Sequence, residues 1–335
     1  MPRRLFSLAV ILAVLWCGYW FVAYTLAHSV VRDATAAENQ ADPLLSCLER
    51  AFGGFPLQLT LRCEGAIAAT ADMRASIGHV AAAAPLYRPG QVTADVVGPF
   101  RLEAPGLVLD AAWGDGAATV DTGLIGPTGG RVTFTAFNFA LAETAGVPLF
   151  SARAGQWGSE VRPATGEADS LRLVLSADDL VMTLGTVAFP ELSGEATIIL
   201  LGSGDQINRN PLDVFRAWLR AGGHLEVDHA LLTSGAVEAD IRGPLTLGAD
   251  GTLSGDLTVR YTGQEDLGLL VQAIFPWAAD AADLVAEAIV AMSHPVEIRG
   301  EPGLEVRLLI DRGLIKYGLF PIVTIPSLGS LAHLL

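Results

Sequence analysis

Beyond Leu57 the hydrophobic positions fall mostly at every second residue, in short runs punctuated by Gly and Pro. That spacing sends apolar and polar side chains to opposite faces of a strand, and it predicts a β-rich chain. The runs include Gln91–Val97, Arg131–Phe139, Ser170–Leu175 and Gly194–Leu200. In the second, strict alternation puts Val132, Phe134, Ala136 and Asn138 on one side and Thr133, Thr135, Phe137 and Phe139 on the other. Asp178-Asp179 reads as a turn after the strand at 171–175. A meander follows over 224–233, 236–247 and 252–262, with Asp250-Gly251 as a tight turn. The strands Asp95–Leu102 and Asp240–Leu247 are each interrupted by Gly-Pro, which suits an edge or a bulge because Pro donates no ladder hydrogen bond. Their likeness raises the expectation of two similar halves, 57–205 and 206–335.

Helical spacing occurs in three places. Residues 28–52 read as helical, broken at Pro43. There Asp42-Pro43 opens a helix whose stripe is Leu44, Leu45, Leu48 and Phe52, and Gly53-Gly54 ends it. Asn210-Pro211 caps a helix over 212–220, and a further helical region covers Leu267–Ser293, interrupted at Pro276.

The chain begins differently. Residues 5–27 carry no charge, and as a helix they span about 34 Å, enough for a hydrocarbon core of about 30 Å. Trp16, Tyr19, Trp20 and Tyr24 gather in the second half, as expected near a membrane–water interface, and Arg3 and Arg4 precede the segment. A cleaved signal peptide has a shorter apolar region and ends at a small-x-small site, and Thr25-Leu26-Ala27 is a mediocre one. The expectation is an uncleaved signal-anchor over 1–27 that spans an inner membrane once. A helical connector follows over 28–56, and then a β-rich domain over 57–335 on the periplasmic side. The fold class expected is thus α+β and β-rich: an N-terminal transmembrane helix, then an antiparallel-sheet domain with several helices.

Cysteine usage suits that compartment. Cys17 belongs to the apolar segment, leaving Cys47 and Cys63 as a pair. Cys63 shares a strand face with Leu57, Leu59 and Leu61, and a disulfide to Cys47 would close a loop of about 16 residues, worth about 3 kcal/mol. Nothing in the spacing suggests a redox CxxC or a zinc site.

Net charge is −15 and charged residues make up 17%, below the roughly 25% of an average soluble domain. So acidic a chain repels phosphate backbones, and nucleic acid is excluded as a partner. The stretch His224–His229, HLEVDH, concentrates two imidazoles and two carboxylates. Alternation projects His224, Glu226 and Asp228 to a solvated face, and Leu225, Val227 and His229 to the other. Ligands spaced along one strand reach a common ion poorly, so a wet strand face is the expectation, not a metal site. Gly202-Ser-Gly-Asp205 and Leu328-Gly-Ser-Leu331 are not nucleophile elbows, and no phosphate-binding glycine pattern or Ser-His-Asp arrangement stands out. No catalytic residue, metal or cofactor is expected, and the chain is not read as an enzyme.

Several local sequences carry a resemblance. The segment Trp16-Cys-Gly-Tyr-Trp-Phe21, the stretch from Cys47 through Gly-Phe-Pro56 to Cys63, Ala84-Pro-Leu-Tyr-Arg-Pro89, and Gly251-Thr-Leu-Ser-Gly-Asp-Leu-Thr-Val259 resemble domain of unknown function family 2125. The resemblance implies a Gram-negative envelope protein without assigned activity, and its motifs are structural. The Gly-x-Leu-x-Gly-x-Leu strand style is also similar to envelope β-proteins of the AsmA type, which implies a link to lipid movement. Two functions are expected. One is a membrane-anchored periplasmic module that binds a lipid or other hydrophobic ligand in envelope maintenance. The other is a non-catalytic structural or assembly protein engaging envelope proteins. A continuous open apolar face would favour the first, a fully packed interior the second.

Overall fold

The computed structural model describes residues 14–25, 27–29 and 46–324, apart from 70–72, 89, 105, 124–126, 145, 147, 166–169, 185–186, 203–217, 219–221, 249, 275–281, 299 and 319. The expected helix over 212–220 (Trp218 apart), the connector over 30–45, Leu328–Leu331 and most of Gly202–Asp205 lie outside the described residues, as do residues 1–13 of the expected anchor.

The alternating runs become strands. The first nine are β1 (Glu49–Gly53), β2 (Gln58–Ala69), β3 (Arg74–Pro85), β4 (Gln91–Ala104), β5 (Leu107–Ala112), β6 (Gly116–Thr122), β7 (Pro127–Glu143), β8 (Pro148–Pro163) and β9 (Leu171–Leu184). The rest are β10 (Val187–Ala188), β11 (Leu192–Leu200), β12 (His224–Ser234), β13 (Val237–Leu247), β14 (Leu253–Thr262), β15 (His294–Ile298), β16 (Glu301–Asp311), β17 (Leu314–Tyr317) and β18 (Phe320–Thr324). All belong to one antiparallel sheet. It is a meander: β1–β2–β3–β4, then β5 and β6 end to end between β4 and β7, then β8, β9, β11, β12, β13, β14 and β16. The short β15 and β17 share the far side of β16, and β18 pairs with β17.

Helix α1 covers 14–25, α2 is Leu267–Ile274 and α3 is Ala282–Met292, the last two on either side of the expected break. No described helix is long and apolar enough to cross a membrane.

The helix expected to end at Phe52 does not form over 49–53. Those residues are β1, paired with Thr60–Glu64 of β2, and Ser46 bridges Ile67. The i, i+3, i+4 pattern was misleading because Leu48, one of its members, is 80% exposed. A strand edge offering five paired residues outweighs weak local helix preference. The Cys47–Cys63 disulfide is present, with Cα atoms 5.5 Å apart, and it ties the segment ahead of β1 to β2.

Alternation also fails in mid-strand, repeatedly and in neighbouring strands. In β7, Ala136 has φ 47°, so the chain turns over and Phe134 and Phe137 fall on the same side, their rings stacked at 5.5 Å. In β2 the turnover is at Gly65, φ 57°, and both Cys63 and Ala66 are buried. In β9 it is at Asp179, φ 54°, whose N–H donates to Ser193 Oγ at 3.0 Å; Asp178-Asp179 lies within a continuous strand and is not a turn. In β12 the register shifts between Val227 and Ala230, which pack in the same cluster. Both Gly-Pro sites sit beside this line, in central strands and not at an edge. Gly98-Pro99 adjoins the slip between Ile77 and His79, and Gly243-Pro244 adjoins the one in β12. A missing amide at Pro costs no ladder bond where a bulge already interrupts the ladder.

Among the described residues, the clusters of buried side chains lie in the later strands. Tyr261, Leu267, Ala282, Ala286 and Val306 form one cluster, in which α2 and α3 cover the sheet. Val227, Ala230, Leu245 and Ile310 form a second, and Trp218 with Leu247 a third.

Candidate ligand-binding face

Residues directly opposed in a sheet share a face, so register alone traces the covered side outward. Ala230 of the second cluster opposes Ala196. From Ala196 the row continues through Leu175, Ser159, Val132, Ala118 and Ala94 to Ala82. The apolar face of β3–β9 is therefore the same face that α2 and α3 cover further along.

Across the turnover line a parallel row runs Met182, Ala152, Phe139, Ala111, Phe100 and Ile77. Between the two rows lie rings in contact. Trp113 meets Phe134 at 4.5 Å, Phe137 meets Trp157 at 5.7 Å and Phe139 at 6.5 Å, and Phe139 meets Phe150 at 5.8 Å. The indole of Trp113 donates to Val96 O at 2.7 Å, which fixes its plane. No charged side chain enters either row. The charges occupy the other face, where Arg101 pairs with Glu103 and Asp110, and Arg131 and Arg162 both pair with Glu160. Glu103 bonding and the charge of Asp110 hold the Arg101 guanidinium above its ordinary pKa.

Among the described residues, none of the buried clusters includes a residue of β1–β9. The buried apolar residues there are mainly alanines, and the aromatic rings are only half-buried. The face is wide. Seven strand ranks from β2 to β9 span about 29 Å, and the 17 residues of β7 extend about 55 Å.

A family model described as an uncharacterized protein conserved in bacteria, DUF2125, matches residues 20–326. The chain belongs to the DUF2125 family. No curated protein and no solved structure matches it. The DUF2125 match covers the open and the covered halves of the sheet together, so both belong to the family's fold.

The structure divides the other candidates of this DUF2125 chain. His224, Glu226 and Asp228 are exposed on β12, and His224 and Asp228 have different partners. The His224 Nδ1 lies 3.3 Å from Thr246 Oγ1, and Asp228 faces Arg172 at 3.9 Å and His229 at 3.5 Å. No group of three metal-ligating side chains occurs among the described residues. The bulge before Ala230 sends His229 outward with Leu231, into a hollow of about 240 Å³ shared with Asp240, Arg242 and Arg260. The expected inward side for His229 is thus corrected. So is the expected grouping of Phe137 and Phe139 with Thr133 and Thr135, since the turnover at Ala136 joins them to Phe134 and Val132. Sequence reasoning missed this aromatic face because it assumed unbroken alternation. The density of rings in 134–157 was the available signal.

Proposed function

We propose that this protein is a membrane-anchored envelope protein that holds a lipid, or another long hydrophobic molecule, against the apolar face of β2–β9, without a catalytic step. The observation that carries this reading is the pair of charge-free rows around a half-buried aromatic cluster, none of whose rings belongs to a buried core cluster. Soluble monomers rarely leave apolar patches beyond a few hundred Å² unfilled, and larger ones mark interaction sites. A hydrocarbon chain spanning one leaflet, about 15 Å, fits within this face several times over. The apolar N-terminal segment and the pairing of Cys47 with Cys63 support export to an oxidising compartment bounded by membrane.

The test is photocrosslinking in intact membranes with the full chain. p-Benzoylphenylalanine is placed at Phe137 or Phe150 on the open face, and at Thr133 or Thr135 on the polar face. Lipid adducts at the first pair and none at the second are expected. Protein adducts at Phe137 and Phe150, or lipid adducts equal on both faces, would sink the proposal.

A further inference from the structure

We infer that the end of the sheet at the β1–β2 and β3–β4 turns is itself a bilayer-contact surface, so the sheet stands on the membrane by this tip. The inference rests on the membrane-anchored reading above, but on different residues. Helix α1 is docked to this end through its indoles. The Trp16 Nε1–H donates to Pro56 O at 2.8 Å and the Trp20 Nε1–H to Gln58 O at 3.2 Å. Trp20 also meets Phe55 edge-on at 5.1 Å, while Tyr24 and His28 lie against Phe52. Going along the chain from Trp16 to Tyr24 and on to His28, the contacts therefore move from the turn tip up along β1, so the amino end of α1 points out past the tip. The uncharged residues 5–13 lie ahead of it in sequence.

That direction sets depth. Trp and Tyr favour the membrane–water interface. If Trp16, Tyr19 and Trp20 occupy that layer, the turn bonded to two of them occupies it too. The tip is suited to it: Phe55 and Leu57 are each 58% exposed and Tyr87 is 65% exposed. Tyr87 stands beside Leu57, since Leu86 N–H donates to Leu57 O at 3.0 Å, and the exposed Arg88 follows. Both turns are held by their own backbone bonds, Gln58 N–H to Gly54 O and Arg88 N–H to Pro85 O, each 3.1 Å. Exposed rings on a fixed turn lose little conformational freedom on insertion. In a chain of net charge −15, residues 52–61 and 84–91 hold no carboxylate but do hold Arg88. The opposite end of the strands carries the exposed Glu143, Glu191 and Glu301. Further along the first end the exposed Asp250 and Asp311 stand at the β13–β14 and β16–β17 turns, so an anionic bilayer surface attracts only the β1–β4 corner, through Arg88.

The experiment uses the full chain with Cys17→Ser, reconstituted in vesicles of phosphatidylethanolamine and phosphatidylglycerol doped with a dibrominated phosphatidylcholine. Bimane is attached at Leu57→Cys, Tyr87→Cys, Glu143→Cys or Glu191→Cys, all exposed positions. Loss of most bimane fluorescence at 57 and 87, with none at 143 and 191, is expected. Unquenched bimane at 57 and 87 in a protein that resists carbonate extraction overturns the inference and leaves the anchor standing. Quenching at all four sites overturns it in favour of a sheet lying flat. Release by carbonate overturns both the inference and the anchor.

Discussion

A carboxylate reports whether an apolar face is open or closed, and Phe137→Asp and Val306→Asp form the informative pair. Phe137 is half-buried among Phe134, Phe139 and Trp157. Replacing its ring forfeits about 2 kcal/mol of transfer free energy and up to about 1 kcal/mol of ring contacts. On an open face the new carboxylate stays hydrated, so the total is about 2–3 kcal/mol and the protein folds. Val306 is 7% exposed, enclosed by Tyr261, Leu267, Ala282 and Ala286 with no cation in the cluster. There the loss of about 1.5 kcal/mol for the side chain is joined by a charge-burial cost of several kcal/mol. That sum reaches the lower end of a domain's whole stability, about 5 kcal/mol. Both full chains are to be extracted in mild detergent, freed of bound molecules, and followed by near-ultraviolet circular dichroism and urea unfolding. Phe137→Asp is expected to keep its tertiary signal at a lowered midpoint, and Val306→Asp to lose it. If the two variants unfold alike, something covers the aromatic face and the argument for an open surface fails.

Two further outcomes test local energetics. Replacing Cys47 and Cys63 together by Ser should lower stability by about 3 kcal/mol in oxidising buffer, from a sequence separation of 16. An unchanged urea midpoint would mean the Ser46–Ile67 and Leu48–Glu64 backbone bonds already fix the segment. The phenol of Tyr261 is held above its ordinary pKa, chiefly by burial, with Ser293 Oγ at 3.0 Å opposing. A raised folded value means its contribution is fully present below the unfolded pKa near 10 and is lost as pH climbs through the folded one. Tyr261→Phe should therefore flatten the alkaline fall of the urea midpoint, and an identical fall in both proteins would refute the assignment.

The period-two runs were sufficient to locate most strands, and Leu267–Ser293 with its break at Pro276 was legible as two helices. The disulfide was legible too, because only one other cysteine lies outside the apolar N-terminal segment. What could not be read was which side a strand's second half shows. Positive φ at Gly65 follows a known preference, but Ala136 and Asp179 adopt it at a cost of about 1–2 kcal/mol each that only tertiary context offsets. The amide of Asp179 finds Ser193 Oγ from a strand 14 residues on, and no local pattern encodes that bond. The same limit explains β1, whose extended form depends on the edge of β2.

Without the turnovers, each strand of β7, β8 and β9 would show half its rings and leucines to either face. Two mixed faces would then each need cover. The αL residues at Ala136 and Asp179 instead gather Phe134, Phe137 and Phe139 on one face, and Ala177 with Leu180, leaving Arg131, Arg101 and their carboxylate partners on the other. In β12–β16 the gathered apolar face is closed by α2 and α3 and by the second cluster, which gives the sheet a stable base. In β2–β9 the same segregation ends in a surface of rings beside small residues such as Ala82, Ala94 and Ala118. A face that simply needed filling would carry large side chains at those alanines, since voids in a packed core each cost on the order of 1 kcal/mol. Small side chains beside an aromatic ridge, on a face purged of charge, make sense where the missing volume is supplied by another molecule.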